Sequence, residues 1–296
     1  MHQFAILTFM QKVVLITGCS SGFGYAAALK FAENGYMTYA SVRNLRSEGA
    51  KQLQKVTEEK NLPLEVIEID VRSDTSITKN ITHIIHKRNT IDILVNNAGY
   101  GYLGPIEETP IKEIQDLYQT NIFGVIRMIQ AVVPIMRKHS SGLIINLSSI
   151  NGIVPFPLFS IYSTTKFAIE TLTEGLRFEL KHFGINVAAV EPGSYLTRFS
   201  INRKQPKHIL RLSSPYKILI DNFFHRYQQT HTTQGKHLVS KTANAQEVAD
   251  VIFKIAQTPK PSARYRVGLD AHKYYYLRKF LPFFLWEWTL HKIYKW

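Results

Sequence analysis

The stretch Val13-Val14-Leu15-Ile16-Thr17-Gly18-Cys19-Ser20-Ser21-Gly22-Phe23-Gly24, continued by Tyr25-Ala26-Ala27-Ala28-Leu29-Lys30-Phe31, decides how the chain is read. Four apolar, mostly β-branched residues make a short strand of the kind covered on both faces in a parallel sheet. The alanine-rich continuation reads as a helix. Between them stand three glycines in T-G-x-x-x-G-x-G spacing. Strand, glycine-rich turn and helix is the context of a phosphate-binding loop. Glycines let the backbone approach a pyrophosphate, and the helix N-terminus adds free N–H groups and a positive dipole end. Thr17, Gly18, Ser20, Ser21, Gly22, Phe23 and Gly24 are therefore candidate cofactor contacts. The plainer alternative is a tight turn with no ligand, and the spacing is not the commoner G-x-G-x-x-G.

Downstream the alternation continues. Strand-like runs at 37–42, 64–71, 91–95, 142–147, 185–190 and 264–268 are separated by helical periodicity at 51–60, 77–88, 111–139, 162–180 and 245–257. This predicts an α/β fold: a single Rossmann-type, doubly wound parallel sheet with helices on both faces. Right-handed crossovers then collect the strand tips at one edge. The expected organisation is one dinucleotide-binding and catalytic domain over 1–270, with a helical substrate lid at about 194–242, and a C-terminal amphipathic extension over 271–296. The lid carries Phe199, Ile209, Leu210, Leu212, Phe223, Phe224 and Tyr227, which suit either a lipophilic substrate or ordinary helix packing. Pro134 is expected to kink or end the 111–139 helix.

Each tip offers chemistry. The second strand ends in Val42-Arg43, with no acidic residue for a ribose 2′-OH. An arginine there accommodates a 2′-phosphate, which favours NADP(H) and leaves NAD(H) open; Arg46 stands ready to assist. Asp70 and Val71, at the third tip, are placed to touch an adenine. Asn97, Ala98 and Gly99, after Asn96, can brace neighbouring loops and admit a cofactor, or form a simple turn. The fifth tip presents Ser148 and Ser149. The sixth presents Pro192 and Gly193, with Thr197 beyond, placed to bond a ligand amide or phosphate. Asn121 is mildly unfavourable inside a helix and asks for an explanation. Tyr162 and Lys166 share one helix face. An ammonium fixed beside a phenol lowers its usual pKa of about 10 and makes it an acid or base for neutral pH. Alone, Y-x-x-x-K is short and common, and most often marks an exposed tyrosine and a solvated lysine. The converging glycine loop, Asn121 and Ser149 reverse that reading.

Taken together, Thr17-Gly18-x-x-x-Gly22-x-Gly24, Asn96-Asn97-Ala98-Gly99, Asn121, Ser149, Tyr162-x-x-x-Lys166 and Pro192-Gly193 resemble the short-chain dehydrogenase/reductase family in order and spacing. The wording TGCSSGFG, YASVRN and the long segment after Gly193 are most similar to its retinol and 17β-hydroxysteroid dehydrogenase-like branch. The resemblance implies that Tyr162 exchanges a proton with the substrate oxygen and that Lys166 lowers its pKa and bonds the nicotinamide ribose. It also implies that Ser149 holds the substrate oxygen, that Asn121 holds a relay water, and that the protein is a dimer or tetramer. It departs at Thr165, where serine is common. It departs again at Ser21, where many NADP enzymes carry a basic residue, so the NADP(H) preference rests mainly on Arg43.

The implied function is hydride transfer between nicotinamide and a small lipophilic alcohol, ketone or aldehyde. The alternatives are a reductase of carrier- or CoA-bound ketoacyl groups and a non-catalytic NADP-binding sensor or scaffold. The 296 residues carry a net charge of +14. That permits nucleic acid, but no recognised motif supports it, and no nucleic-acid partner is expected. His83 and His86 lack a third ligand nearby, so no metal is expected. A single cysteine, Cys19, fits a reducing, cytoplasmic setting. Met1–Met10 reads as a lead-in and not as a signal peptide. Residues 273–296 are basic, aromatic and helically spaced, and Pro282 argues against one unbroken helix. That segment suits peripheral contact with a membrane surface, or packing onto its own domain or a partner subunit.

Overall fold

A computed structural model describes residues 11–195, 203–206, 209, 213–231 and 244–295. Seven strands form one sheet: β1 Val13–Ile16, β2 Met37–Val42, β3 Leu64–Glu68, β4 Ile93–Asn96, β5 Gly142–Leu147, β6 Ile185–Pro192 and β7 Arg264–Val267. Their order is β3-β2-β1-β4-β5-β6-β7, and every neighbouring pair is parallel. Period-two alternation explains why β1 reads as continuously apolar. Val14 and Ile16 enter one core with α1 (Gly22–Glu33), α2 (Glu48–Glu59) and α8 (Ala245–Gln257). Val13 and Leu15 enter the other with α3 (Asp74–Arg88), α5 (Gly124–Lys138) and α6 (Ser160–Leu180).

The strand order reverses between β1 and β4, so a crevice opens outside their carboxyl ends. Thr17 follows β1 there and Asn97 follows β4. Between β4 and β5 a buried amide pair ties the sheet to α6: Asn96 Nδ2 donates to Asn146 Oδ1 (2.9 Å), and Asn146 Nδ2 to Thr173 Oγ1 (2.9 Å). The remaining helices are α4 (Ile111–Tyr118), α7 (Lys217–His231), α9 (Leu269–Phe280) and α10 (Phe283–Tyr294).

Several boundaries differ from expectation for local reasons. Helices α2 and α3 start three residues early because Ser47 and Ser73 cap them, accepting from Ala50 N and Ser76 N. The third strand stops at Glu68, leaving Asp70 and Val71 in the turn beyond it. The 111–139 segment is interrupted by a π-helical turn at Gln119–Phe123, not by Pro134. Pro134 lies inside α5. Both it and Gln130, whose carbonyl loses its partner, are exposed, so water meets that carbonyl. Pro282, in contrast, separates α9 from α10.

Candidate active site

The glycine loop is clamped by the β4 tip. Thr17 Oγ1 accepts from Asn97 N and Ala98 N, each at 3.0 Å. Asn97 Nδ2 donates to the carbonyls of Thr17 (2.8 Å) and Gly18 (3.0 Å). The clamp leaves no room for side chains: a Cβ on Gly24 would fall 2.3 Å from Asn97 Nδ2. One on Gly18, whose φ is +74°, would fall 2.8 Å from Ala98 Cα. At the start of α1, Ser21 makes no side-chain bond to the helix, and its first turn holds no acid. The positive helix end therefore has no acidic side chain in its own first turn, and it suits a pyrophosphate. Phe23 packs edge-on to Tyr195 at 5.4 Å.

At the β2 and β3 tips the structure adds a residue that the sequence reading missed. Arg72 grips Asp70 through Nε at 2.9 Å and Nη2 at 2.5 Å. That side-chain bond is the main reason the Asp70 carboxyl lies below the ordinary carboxylate range. Arg43 is exposed and also pulls Asp70 down through its charge, so the two arginines share this corner. The Asp70 carboxylate is engaged by Arg72, and the Val71 side chain is buried in the core against Gly124. An arginine two residues beyond a strand-tip Asp was the signal available for Arg72. Two basic side chains in place of the usual acid fit a 2′-phosphate.

The remaining tips converge on Tyr162. Ser149, at the end of β5, hydrogen-bonds the Tyr162 hydroxyl. Ser149 Oγ also accepts from Asn151 N at 3.1 Å. Asn121 lies on the π turn, fully buried. Its Oδ1 accepts from Tyr100 N (3.1 Å), and its Nδ2 donates to Tyr100 O (3.0 Å) and Thr165 Oγ1 (3.2 Å). The side chain thus locks the loop after Gly99 to the turn of α6 that carries Lys166. Pro192 ends β6, and the Gly193 N–H donates to Val267 O at 2.9 Å. A Cβ on Gly193 would fall 2.0 Å from Asp270 Oδ1, while Asp270 Oδ2 accepts from Ser194 N. Thr197 lies outside the described residues, as do Phe199, Leu210 and Leu212 of the expected lid.

Lys166 and Tyr162 depart from the expected direct pairing. Lys166 Nζ donates to Leu147 O at 2.7 Å and sits 5.8 Å from the Tyr162 ring centroid. A buried ammonium needs an acceptor, and the β5 carbonyl supplies it. Burial pushes the Tyr162 phenol up, against the Ser149 hydrogen bond, which is the reverse of the lowering expected from Lys166: with its ammonium bonded to the Leu147 carbonyl, Lys166 is not among the groups that shift the phenol. Burial brings Lys166 down to about 8, and the Glu170 carboxylate opposes that fall.

Glu170 is the second missed residue. It extends the Tyr162, Lys166 stripe by one more turn, which is the signal that could have found it. It is buried and held by Arg264 Nε at 2.9 Å. Arg264 Nη2 also bonds Glu174 (2.7 Å), and Arg266 pairs with buried Glu191 at 3.0 Å. Burial, then the Glu170 charge, pushes Glu191 up to about 7 against Arg266 and Arg264. Lys166 is charged below about 8 and loses its charge above it, so a rate that needs the ammonium falls as pH rises through that value. Glu170→Gln removes the group that holds the charge, so the alkaline limb of kcat/KM is expected to move to lower pH. A uniform loss at every pH with an unmoved limb would give Glu170 a structural role only.

Beside Tyr162 stands an apolar wall. Phe159 packs on Tyr162 (6.2 Å between centroids) and on Phe223 of α7 (5.6 Å). Leu103, Leu158, Ile209 and Ile220 complete that cluster. Leu158 holds φ +65°, a left-handed conformation disfavoured for a branched side chain, in the loop that delivers Tyr162. Its carbonyl accepts from Gly104 N at 2.8 Å.

Known proteins resemble this chain. The family model described as short chain dehydrogenase matches residues 12–208. Among curated proteins, the uncharacterized oxidoreductase YusZ of Bacillus subtilis is 34% identical, covering 95% of this chain and 98% of its own. The 3-ketodihydrosphingosine reductase of Bacteroides thetaiotaomicron is 32% identical (87% and 88% covered). Human 17-beta-hydroxysteroid dehydrogenase type 1 is 33% identical (86% and 77% covered). Among solved structures, a short-chain dehydrogenase from Streptomyces avermitilis superposes with TM-score 0.78 at 29% identity, covering 95% of this chain and 97% of that one. ElxO with NADP bound superposes with TM-score 0.69 at 28% identity (87% and 97% covered). With the glycine loop, the Ser149–Tyr162–Lys166 corner and these likenesses in place, the chain belongs to the short-chain dehydrogenase family and is an oxidoreductase.

Proposed function

We propose that the protein is an NADP(H)-dependent oxidoreductase interconverting a lipophilic alcohol with its ketone or aldehyde. The carrying observation is the Ser149–Tyr162–Lys166 corner, with Tyr162 packed against Phe159 and Phe159 in turn against Phe223 of α7. When bound, the nicotinamide supplies the hydride. In the reductive direction Tyr162 gives its hydroxyl proton to the substrate oxygen, and Ser149 donates a hydrogen bond to the same oxygen. Lys166 stabilises the phenolate left behind by its charge, and Asn121 keeps the facing loop and α6 in register. The α1 N-terminus, with Ser20 and Ser21, takes the pyrophosphate, and Arg43 with Arg72 takes the 2′-phosphate. The NADP bound in ElxO supports that choice. A ketosphingoid and a hydroxysteroid in the names of two relatives support a lipophilic substrate.

The test is NADPH against NADH oxidation over a panel of retinal, steroid ketones, long-chain aldehydes and ketoacyl thioesters. Faster turnover with NADPH and with the lipophilic carbonyls is expected. A preference for the thioesters would replace the substrate reading, and no oxidation of either cofactor would sink the proposal. Phe167 and Phe178, exposed and eleven residues apart on one face of α6, give the surface for a dimer or tetramer. Sedimentation velocity reads that state directly. Peripheral membrane contact through 273–296 would suit a lipophilic substrate, which partitions into lipid.

A further inference from the structure

Helices α9 and α10 have two unlike sides. The inner side is settled: Ala271, Trp286 and Leu290 are buried with Ile150 and Val154, just beyond Ser149. Phe156 meets Tyr274 at 5.0 Å and Trp286 at 6.3 Å. The outer side carries Leu269, Tyr276, Phe280, Phe283, Phe284 and Trp288, each from 50% to 74% exposed. Helical spacing puts Tyr276 and Phe280 opposite Ala271, and Phe284 and Trp288 opposite Trp286 and Leu290. The patch is continuous. Tyr276 stacks on Phe280 at 6.2 Å, and Pro282 turns the chain so that Phe283 and Phe284 follow directly. A shallow groove between Lys273, Tyr276, Leu277, Phe280 and Leu281 runs through it. Exposed aromatic surface of this extent marks an interaction site.

The charges on this face identify the occupant. Residues 271–296 hold five Lys/Arg (Lys273, Arg278, Lys279, Lys292, Lys295) and one acid, Glu287. Cations lie over the exposed rings: Lys279 over Phe280, Arg278 over Phe283 and Lys292 over Trp288, each at 5.6 Å. An aromatic ring with a cation on a flexible stem above it matches a headgroup boundary, where the ring meets acyl chains and the charge meets phosphate. A second copy docked by two-fold symmetry would set the same five cations against themselves. No described helix is long and apolar enough to cross a membrane, so the contact lies in the interface. We propose that the outer face of α9 and α10 docks the protein on an anionic lipid bilayer.

The inner side connects this surface to the reaction. Tyr294 of α10 stacks on Phe223 of α7 at 6.0 Å, Phe223 meets Phe159, and Phe159 meets Tyr162. Docking therefore places the bilayer next to the apolar wall of the site. The use of that route for substrate entry rests on the lipophilic-substrate reading above; the docking itself does not.

The test uses the full chain with vesicles of phosphatidylcholine, alone or mixed with phosphatidylserine. Co-sedimentation with the mixed vesicles is expected, weakened by salt. The paired changes Phe284→Asp with Trp288→Asp, and separately Lys279→Glu with Lys292→Glu, are each expected to weaken it by about tenfold or more. All four side chains are exposed, so NADPH turnover of a short water-soluble aldehyde should be unchanged and reports that the variants fold. Equal sedimentation of wild type and both variants, or none with any vesicle, would overturn the proposal. So would a wild-type dimer that the Phe284, Trp288 variant dissociates. Docking without turnover of any lipophilic carbonyl would leave this inference standing and remove only the substrate reading.

Discussion

Replacing Tyr162 by phenylalanine is expected to lower kcat/KM by about 10²–10⁴-fold, the range a positioned proton donor contributes. The ring stays in its buried cluster with Tyr102, Leu117 and Ile161, and against Phe159. Only the hydroxyl and its bond to Ser149 leave. The stability change should therefore be small, about 0.5–1.5 kcal/mol for one net hydrogen bond. NADPH should still bind, because the glycine loop and the arginine corner lie on other tips. Steady-state kinetics beside an NADPH titration separates the two effects. Undiminished turnover would remove Tyr162 from the reaction, and lost NADPH binding would make it a cofactor contact first.

The second large effect is expected at Arg43. Arg43→Asp sets a carboxylate against the 2′-phosphate, and a like-charge juxtaposition costs several kcal/mol. KM for NADPH should rise by about 10²-fold or more. KM for NADH should hold or fall, since a carboxylate at this tip can bond a free ribose 2′-OH. Arg72, fixed by Asp70, keeps some positive charge nearby and limits the loss. An unchanged NADPH-to-NADH ratio would place the phosphate elsewhere.

What could be read from the sequence was what local patterns encode. β1 and the glycine loop were legible because a doubly buried strand is apolar at every position and the loop tolerates no Cβ. The convergence of Ser149, Tyr162 and Lys166 followed from parallel strands having all their tips on one edge. The misses are contacts between elements distant in the chain. Lys166 choosing the Leu147 carbonyl, Arg264 reaching Glu170 from β7, and Asn121 bridging Tyr100 to Thr165 leave no mark on spacing. Local expectation failed where a single residue outweighed periodicity. Ser47 and Ser73 drew helix starts upstream, and exposed Pro134 proved compatible with α5. The tail shows both cases: Pro282 broke the helix as expected, but which aromatic rings face the domain needed the structure.

On the proposed reading this corner moves a hydride between a nicotinamide and a carbonyl carbon while Tyr162 supplies the proton. The most direct measurement uses NADPH doubly deuterated at the nicotinamide C4, a long-chain ketone or aldehyde, and mass spectrometry of the alcohol. One deuterium on the carbinol carbon is expected for each NADPH consumed, with none in product from the Tyr162→Phe variant beyond its residual rate. Alcohol formed without deuterium, or equal labelling by the variant at the wild-type rate, would contradict it.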